Sequence, residues 1–263
     1  AAEFADRLLA AYGVKGGAHV CVHRTLPQHA GLGSGTQLAL AVGRALAELH
    51  GLPTDAAAIA RAAARGERSA IGTWTFAGGG LVVEGGRRAA VTAGDHIGPL
   101  LMRLPFPPAW RCVVAVPRSR SGISGAAEAA AFAALPEPPE REVEHVAHLV
   151  LLALLPALAD GDLTTFGAAL TEIQTMNGRW FAPVQGGAFA PGASGELVKR
   201  MTEWGAAGVG QSSWGPAVYG IVGGEEAGLR LAERVRSALD QHGTVYEGPF
   251  PTEGARAWRS SEL

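Results

Sequence analysis

Residues 27–36 read Pro-Gln-His-Ala-Gly-Leu-Gly-Ser-Gly-Thr, so Gly31, Gly33 and Gly35 alternate with Leu32, Ser34 and Thr36. Glycines at this spacing let a backbone turn and present successive N–H groups. An alanine-rich run follows at once, and a helix starting there aims free amides and the positive end of its dipole at the loop, which is chemistry for holding phosphate. The same residues also suit a plain helix start capped by the Ser34 or Thr36 hydroxyl. The loop is not a Walker A motif, because no Gly-Lys-Ser/Thr follows, and it does not match the dinucleotide fingerprint. A second glycine-flanked stretch, GVGQSSWGP at 208–216, carries neutral donors in Gln211, Ser212 and Ser213; a turn could equally spend these on its own backbone.

Elements that would position these loops follow from periodicity. Phe4, Leu8, Leu9 and Tyr12 predict a helix over about 2–12, stopped by Gly13. His19-Val-Cys-Val-His23 alternates as a strand does, and Gln37 to His50 reads as a helix, giving strand, glycine loop, helix. Asp55 opens another helix to about Arg65; 73–83 and 111–116 read as strands. Helices are predicted over about 141–159, 162–176, 195–204 and 225–241, with the 208–216 loop leading into an apolar strand over 217–222. Prolines cluster at 105–108 and 136–139, and a domain boundary is placed near the first cluster. Helices and strands mix without a regular βαβ repeat, which favours α+β.

A chain of 263 residues, 48% hydrophobic and 17% charged, can bury a large core. Its 22 basic and 24 acidic side chains leave a charge of −2, which supplies no global pull toward nucleic acid or an anionic membrane, so small-molecule partners are expected. Cys21 and Cys112 each sit in an apolar strand-like run and are expected as buried free thiols; a zinc site or disulfide framework is disfavoured and a reducing cytoplasm is the simplest compartment. The apolar stretch 149–159 is short for a bilayer and contains Pro156, so it is expected as a core helix. No signal peptide is visible.

Together these segments carry a resemblance. PQHAGLGSGTQLALA is similar to the second motif of the GHMP kinase superfamily, whose loop holds nucleotide phosphates. RSAIGTWTFAGGG, at 68–80, resembles a superfamily segment with a serine followed in many of these kinases by a catalytic Asp. With Ser69 set on that serine, Gly72 stands where the Asp would be, so the usual base for a substrate hydroxyl is missing. GVGQSSWGPAVYG stands at the third motif, and its QSSWGP resembles one branch, the beta-ribofuranosylaminobenzene 5'-phosphate synthases of tetrahydromethanopterin biosynthesis. VPRSRSGISGAAE and QGGAFA extend that resemblance over nearly the whole chain.

The resemblance implies a two-part α+β fold: a ribosomal-S5-domain-2-like N-terminal part (1–107) with the phosphate loop and a ferredoxin-like C-terminal part (108–263) with the GQSSWGP loop. It places the site in the cleft between them. The resemblance begins at the first helix, so the family's preceding strands are not expected among these residues. A cytoplasmic homodimer is implied. The implied reaction joins 5-phosphoribosyl 1-diphosphate to 4-aminobenzoate or 4-hydroxybenzoate, releasing diphosphate and carbon dioxide. Magnesium is the expected cofactor, with no nucleotide or flavin, and its ligands are unknown.

For that reaction Gly31, Gly33, Ser34, Gly35 and Thr36 would stabilise the departing diphosphate. Arg68, Arg118, Arg120 and Arg179, beside the family-like segments, would anchor the 5-phosphate and the benzoate carboxylate, or simply be surface arginines. Trp74, Trp180 and Trp214 would wall the benzoate ring or pack a core. His29 would donate to a phosphate or polarise the para substituent, or be structural. Gln211, Ser212 and Ser213 take site roles, and Glu128 would touch magnesium or cap a helix. Two rival functions remain: an ATP-dependent small-molecule kinase, which Gly72 disfavours, and a non-catalytic binding protein that kept the pocket.

Overall fold

The computed structural model describes residues 1–66, 68–86, 96–118 and 125–258. The chain folds into two compact units: Ala1–Leu26 with Gly33–Pro105 and Pro251–Leu263, and Pro27–Leu32 with Phe106–Phe250.

In the first unit, four helices, α1 (Ala2–Ala11), α2 (Ser34–His50), α3 (Ala56–Ala62) and α4 (Ile71–Gly78), accompany an antiparallel hairpin of β1 (Leu81–Glu84) and β2 (Leu100–Leu104). The core mixes alanines with a few larger aliphatics: Leu8, Ala39, Leu40, Leu46, Ala47, Ile59, Ala60 and Ala63 are buried. A Cβ at Gly43 would lie 2.3 Å from the Ile59 side chain, so glycine there sets how closely α2 and α3 approach.

Two strand expectations fail in this unit. Residues 14–26 run without regular structure or a partner strand, and Val20, Cys21 and Val22 are exposed. Alternation alone does not make a strand when neither face finds a layer to bury it, so Cys21 is an exposed thiol. Most of 73–83 is helix α4, despite its β-branched and aromatic content. Tertiary contacts override propensity here: Thr73 is fully buried, the Trp74 indole donates to the Gly98 carbonyl at 2.8 Å, and Arg103 donates to the Trp74 carbonyl. The Ala70 amide at the start of α4 donates to the Glu84 carboxylate. Gly79, at φ +63°, ends the helix.

The second unit is a four-stranded antiparallel sheet in the order β4-β5-β3-β6, formed by β3 (Trp110–Pro117), β4 (Gly208–Gln211), β5 (Val218–Gly223) and β6 (Gly243–Pro249). That is the 2-3-1-4 order of a ferredoxin-like sheet, as expected. One face buries Val113, Ala115, Val209, Val218 and Val222 against α9 (Ala193–Glu203) and α10 (Glu225–Leu239). Alternate residues face α8 (Leu163–Gln185), where Gly208 meets Gly167 and Gly210 meets Gln174 and Tyr219. β4 is an edge strand whose outward amides are satisfied by that helix: Val209 donates to the Thr171 hydroxyl and Gln211 to the Gln174 side-chain carbonyl. Asp162 caps α8; the Thr165 hydroxyl, then the Thr165 and Thr164 amides, hold its carboxyl below the usual range.

Helices α5 (Gly125–Ala134), α6 (Glu140–Leu149) and α7 (Leu155–Asp160) complete the unit. A π-turn, Val150–Leu154, joins α6 to α7 in one 21-residue helix that is long and apolar enough to cross a bilayer by length and composition. Pro156 has no N–H to offer Leu152, and the chain widens just before it, the Leu155 amide donating to Val150. The expected core helix is buried on one side only: Leu149, Leu154, Leu155 and Leu158 are buried, while Leu151 and Leu152 are exposed. α8 runs on to Gln185, through Pro183, until Gly186 adopts the left-handed conformation.

Candidate active site

The turn after β4 is tied to the start of the glycine loop inside the second unit. The Ser212 hydroxyl donates to the Gly31 carbonyl at 2.7 Å, and the Ala217 amide donates to the Ala30 carbonyl at 3.1 Å. A Cβ at Gly31 would stand 2.1 Å from the Ser212 carbonyl oxygen, and its φ is +81°, so only glycine fits. The Gly215–Pro216 bond is cis, and the buried Ser194 hydroxyl donates to the Pro216 carbonyl.

Gln211 organises this turn. It is 8% exposed; its side-chain carbonyl accepts from the Ala190 amide at 2.6 Å. Its Nε2 donates to Gln185 Oε1 at 3.1 Å and to the Ser213 carbonyl at 2.9 Å. Gln211 and Ser212 therefore spend their polar groups on protein and act as positioning residues. Ser213 differs: it is exposed and sits at φ +54°, where a non-glycine side chain is uncommon. His29, also exposed, has φ +54° too. Trp214 is buried edge-to-face against Phe181 and Phe132, with ring centroids 4.5 and 5.3 Å away, and its indole N–H has no partner among the described residues.

The first unit holds the rest of the glycine loop. Gly33 is the N-cap of α2, left-handed at φ +64°, and no side chain caps the helix. The first-turn amides of Ser34, Gly35 and Thr36 therefore lack the capping hydroxyl that one reading of the sequence offered them. Beside that turn lies Arg65, which sequence reasoning missed. Its guanidinium is 3.6 Å from where a Gly35 Cβ would stand and 4.9 Å above the Phe4 ring, reinforcing the positive end of the helix. Gly72 packs on Thr36, and its carbonyl accepts from the Gln37 side chain at 2.9 Å.

Other expected residues scatter. Trp74 packs against the first unit's core and uses its indole N–H on Gly98. Arg68 is exposed just ahead of α4. Arg118 is exposed after β3, its amide donating to the His242 carbonyl, and Arg120 lies outside the described residues. Trp180 donates to the Glu142 carboxylate. Arg179 lines a cavity of about 710 Å³ with Arg141 and His145 of α6. Glu128 lies in the first turn of α5. Among the described residues no group of three or more His, Cys, Asp or Glu could hold a metal.

Comparison with known proteins bears on this geometry. Residues 1–80 match the GHMP kinases N-terminal domain and 154–243 the GHMP kinases C-terminal domain. A beta-ribofuranosylphenol 5'-phosphate synthase of Methanothermobacter thermautotrophicus is 34% identical over 83% of this chain and 68% of its own length. One from Archaeoglobus fulgidus is 35% identical over 83% of this chain and 69% of its length. The chain belongs to this synthase family of the GHMP kinases. It is an enzyme, a pentosyltransferase of that family, as the motifs led us to expect. Solved structures show the fold alone: a homoserine kinase from Cytophaga hutchinsonii (TM-score 0.70, 19% identity, 95% of this chain and 76% of that one) and L. major mevalonate kinase (0.64, 15%, 97% and 77%). The GHMP-type α+β expectation holds.

Proposed function

We propose that this synthase-family chain condenses 5-phosphoribosyl 1-diphosphate with 4-hydroxybenzoate or 4-aminobenzoate, giving a C-riboside 5'-phosphate, diphosphate and carbon dioxide in tetrahydromethanopterin biosynthesis. The observation that carries this reading is the pairing of uncapped α2 amides with a glycine, Gly72, against Thr36 and Gln37. Such a turn can hold an anion but puts no carboxylate base at Gly72, and this chemistry needs none there. The product name of the relatives, a ribofuranosylphenol phosphate, favours the hydroxy acid as acceptor.

As the C1–oxygen bond to diphosphate breaks, negative charge grows on the leaving group while the ribose carbon becomes oxocarbenium-like. The amides of Ser34, Gly35 and Thr36 stabilise that growing charge in the transition state, with Arg65 adding to the local positive potential. The ring carbon bearing the carboxylate forms the new bond to C1, and the C–CO2 bond then breaks, its electron pair restoring aromaticity. Ser213, the exposed hydroxyl of the QSSWGP turn, is the group we assign to ligand contact. Magnesium, when bound, would supply charge neutralisation to the diphosphate. We place the enzyme in the cytoplasm as a homodimer.

The test is incubation with 5-phosphoribosyl 1-diphosphate, magnesium and carboxyl-labelled 4-hydroxybenzoate or 4-aminobenzoate, beside an ATP-only control. Labelled carbon dioxide that depends on the phosphoribosyl donor supports the reading. ATP consumption without it would make the chain a kinase, and binding without turnover a non-catalytic relative.

A further inference from the structure

Helix α6 and its continuation through the π-turn into α7 bury one side in the second unit and leave the other bare. Leu149, Leu154, Leu155 and Leu158 are buried, whereas Val143, Leu151 and Leu152 are 47%, 60% and 68% exposed. The bare side is one stripe. Val143, Ala147 and Leu151 follow one another at helical spacing. The extra residue of the π-turn, Val150–Leu154, then passes the stripe on to Leu152, Pro156 and Ala159, and Ala147, Pro156 and Ala159 are exposed as well. No charged residue lies between His148 and Asp160. Two adjacent exposed leucines in the middle of such a run form a patch, unlike apolar side chains scattered singly over a surface.

Three occupants could cover this stripe, and the residues choose among them. A bilayer span does not fit, because the four inward leucines are already packed within the unit. A membrane surface fits poorly by charge: the exposed ends of the helix carry Glu140, Glu144 and Asp160 against Arg141, where an interfacial helix relies on lysines and arginines. A copy of the same stripe fits. It is centred on Leu151 and Leu152, and Ala147 and Val143 on one side are matched at equal distances along the helix by Pro156 and Ala159 on the other. A two-fold contact requires such a self-matching patch. The exposed parts of these six side chains come to on the order of 500 Å², so a two-fold pair buries about 1,000 Å², the least that a specific interface needs. We propose that a second copy of this chain covers the stripe, the two helices running antiparallel across a two-fold axis at Leu151 and Leu152; as the surface of the dimer this rests on the homodimer placed above. With an area near the lower limit, the pair separates on dilution.

Sedimentation equilibrium of the whole chain over a concentration series tests this. The parent is compared with the Leu151→Glu/Leu152→Glu double variant and with Leu229→Glu, a control at a leucine 50% exposed on α10. The expected result is a concentration-dependent dimer for the parent and the control. Association of the double variant should be weaker by roughly a hundredfold or more, as burying unpaired charge demands, with circular dichroism and melting unchanged because both leucines face outward. Ala147→Arg leaves the leucines in place and should also weaken association, by roughly tenfold or more, which decides the matter if the double variant does not fold. Dimers as tight as the parent's in both stripe variants overturn the interface and leave the homodimer standing. A parent that is monomeric at every concentration overturns both. Equal weakening by Leu229→Glu overturns the assignment to this stripe. Co-sedimentation of the parent with phosphatidylcholine–phosphatidylserine vesicles, lost in the double variant, overturns it in favour of a lipid surface.

Discussion

The Ser212 hydroxyl reaches back across 181 residues of sequence to donate to the Gly31 carbonyl, and Gly31 in turn has its Cβ position filled by the Ser212 carbonyl oxygen. Ala30 and Gly31, which lead into the glycine loop, are thus held against the QSSWGP turn inside the second unit. Gly31→Ala would add both a backbone overlap at 2.1 Å and an alanine at φ +81°. We expect a cost of about 2–4 kcal/mol and a large loss of carbon dioxide release. Ser212→Ala removes only the hydrogen bond and should cost about 1 kcal/mol. Thermal melting of the two variants checks this, and a Gly31→Ala protein as stable as Ser212→Ala would refute it.

Gln211 donates two hydrogen bonds from Nε2, to the Gln185 side-chain carbonyl and the Ser213 backbone carbonyl, while the Gln185 Nε2 is spent on the Gly187 carbonyl. Gln211→Glu keeps the shape and faces both with an acceptor. A buried network half-satisfied in this way is expected to lose about 2–4 kcal/mol. Because the Ser213 conformation depends on it, kcat should fall more than KM rises. Wild-type kinetics in a stable Gln211→Glu protein would show that the turn does not need this residue.

How much of this the sequence disclosed depended on whether the signal was local. Glycines at 31 and 33, the alanine-rich α2 and the 208–216 turn declare themselves through backbone requirements, which any reader of the chain can see. The ferredoxin-like sheet was half visible: β3 and β5 are apolar runs, whereas β4 is Gly-Val-Gly-Gln and β6 is Gly-Thr-Val-Tyr-Glu-Gly-Pro, too glycine-rich for strand propensity. What makes β4 a strand is α8 covering its edge through Thr171 and Gln174, a long-range fact. In the same way α4 looked like a strand until Glu84, Gly98 and Arg103 were seen to hold it. Arg65 carried no motif; only the fold sets it beside the first turn of α2.

Ser213 and Gly33 separate ligand effects from folding effects. Ser213 is exposed, and a Cβ at Gly33 would meet nothing within 4 Å. Ser213→Ala should therefore stay within about 0.5 kcal/mol in stability while losing kcat or substrate affinity. Gly33→Val carries only the strain of φ +64°, about 1–2 kcal/mol, so any further loss of diphosphate binding measures how closely the ligand approaches the backbone. Diphosphate titration of the folded variants decides it, and unchanged binding in Gly33→Val would remove the phosphate role from this loop.

The two thiols should behave oppositely. Cys21 is exposed, whereas Cys112 is half-buried in β3 rather than fully buried as expected, and there desolvation first, and the Glu247 carboxylate second, push its thiol from 9.0 up to about 12. At about pH 8 the native protein should give one fast equivalent with a thiol reagent and a second only on unfolding. The same shift sets a pH dependence. Between pH 9.0 and about 12 the folded state keeps a proton on Cys112 that the unfolded chain releases, so stability is full below that window and falls as pH rises through it. Tyr219, also raised, chiefly by burial and then by Cys112, adds to the fall with the same sign. Cys112→Ala should therefore flatten the alkaline branch of the unfolding profile without abolishing it. Two fast thiols in the native protein, or an alkaline branch as steep in Cys112→Ala as in the parent, would show that the Cys112 site is open to water.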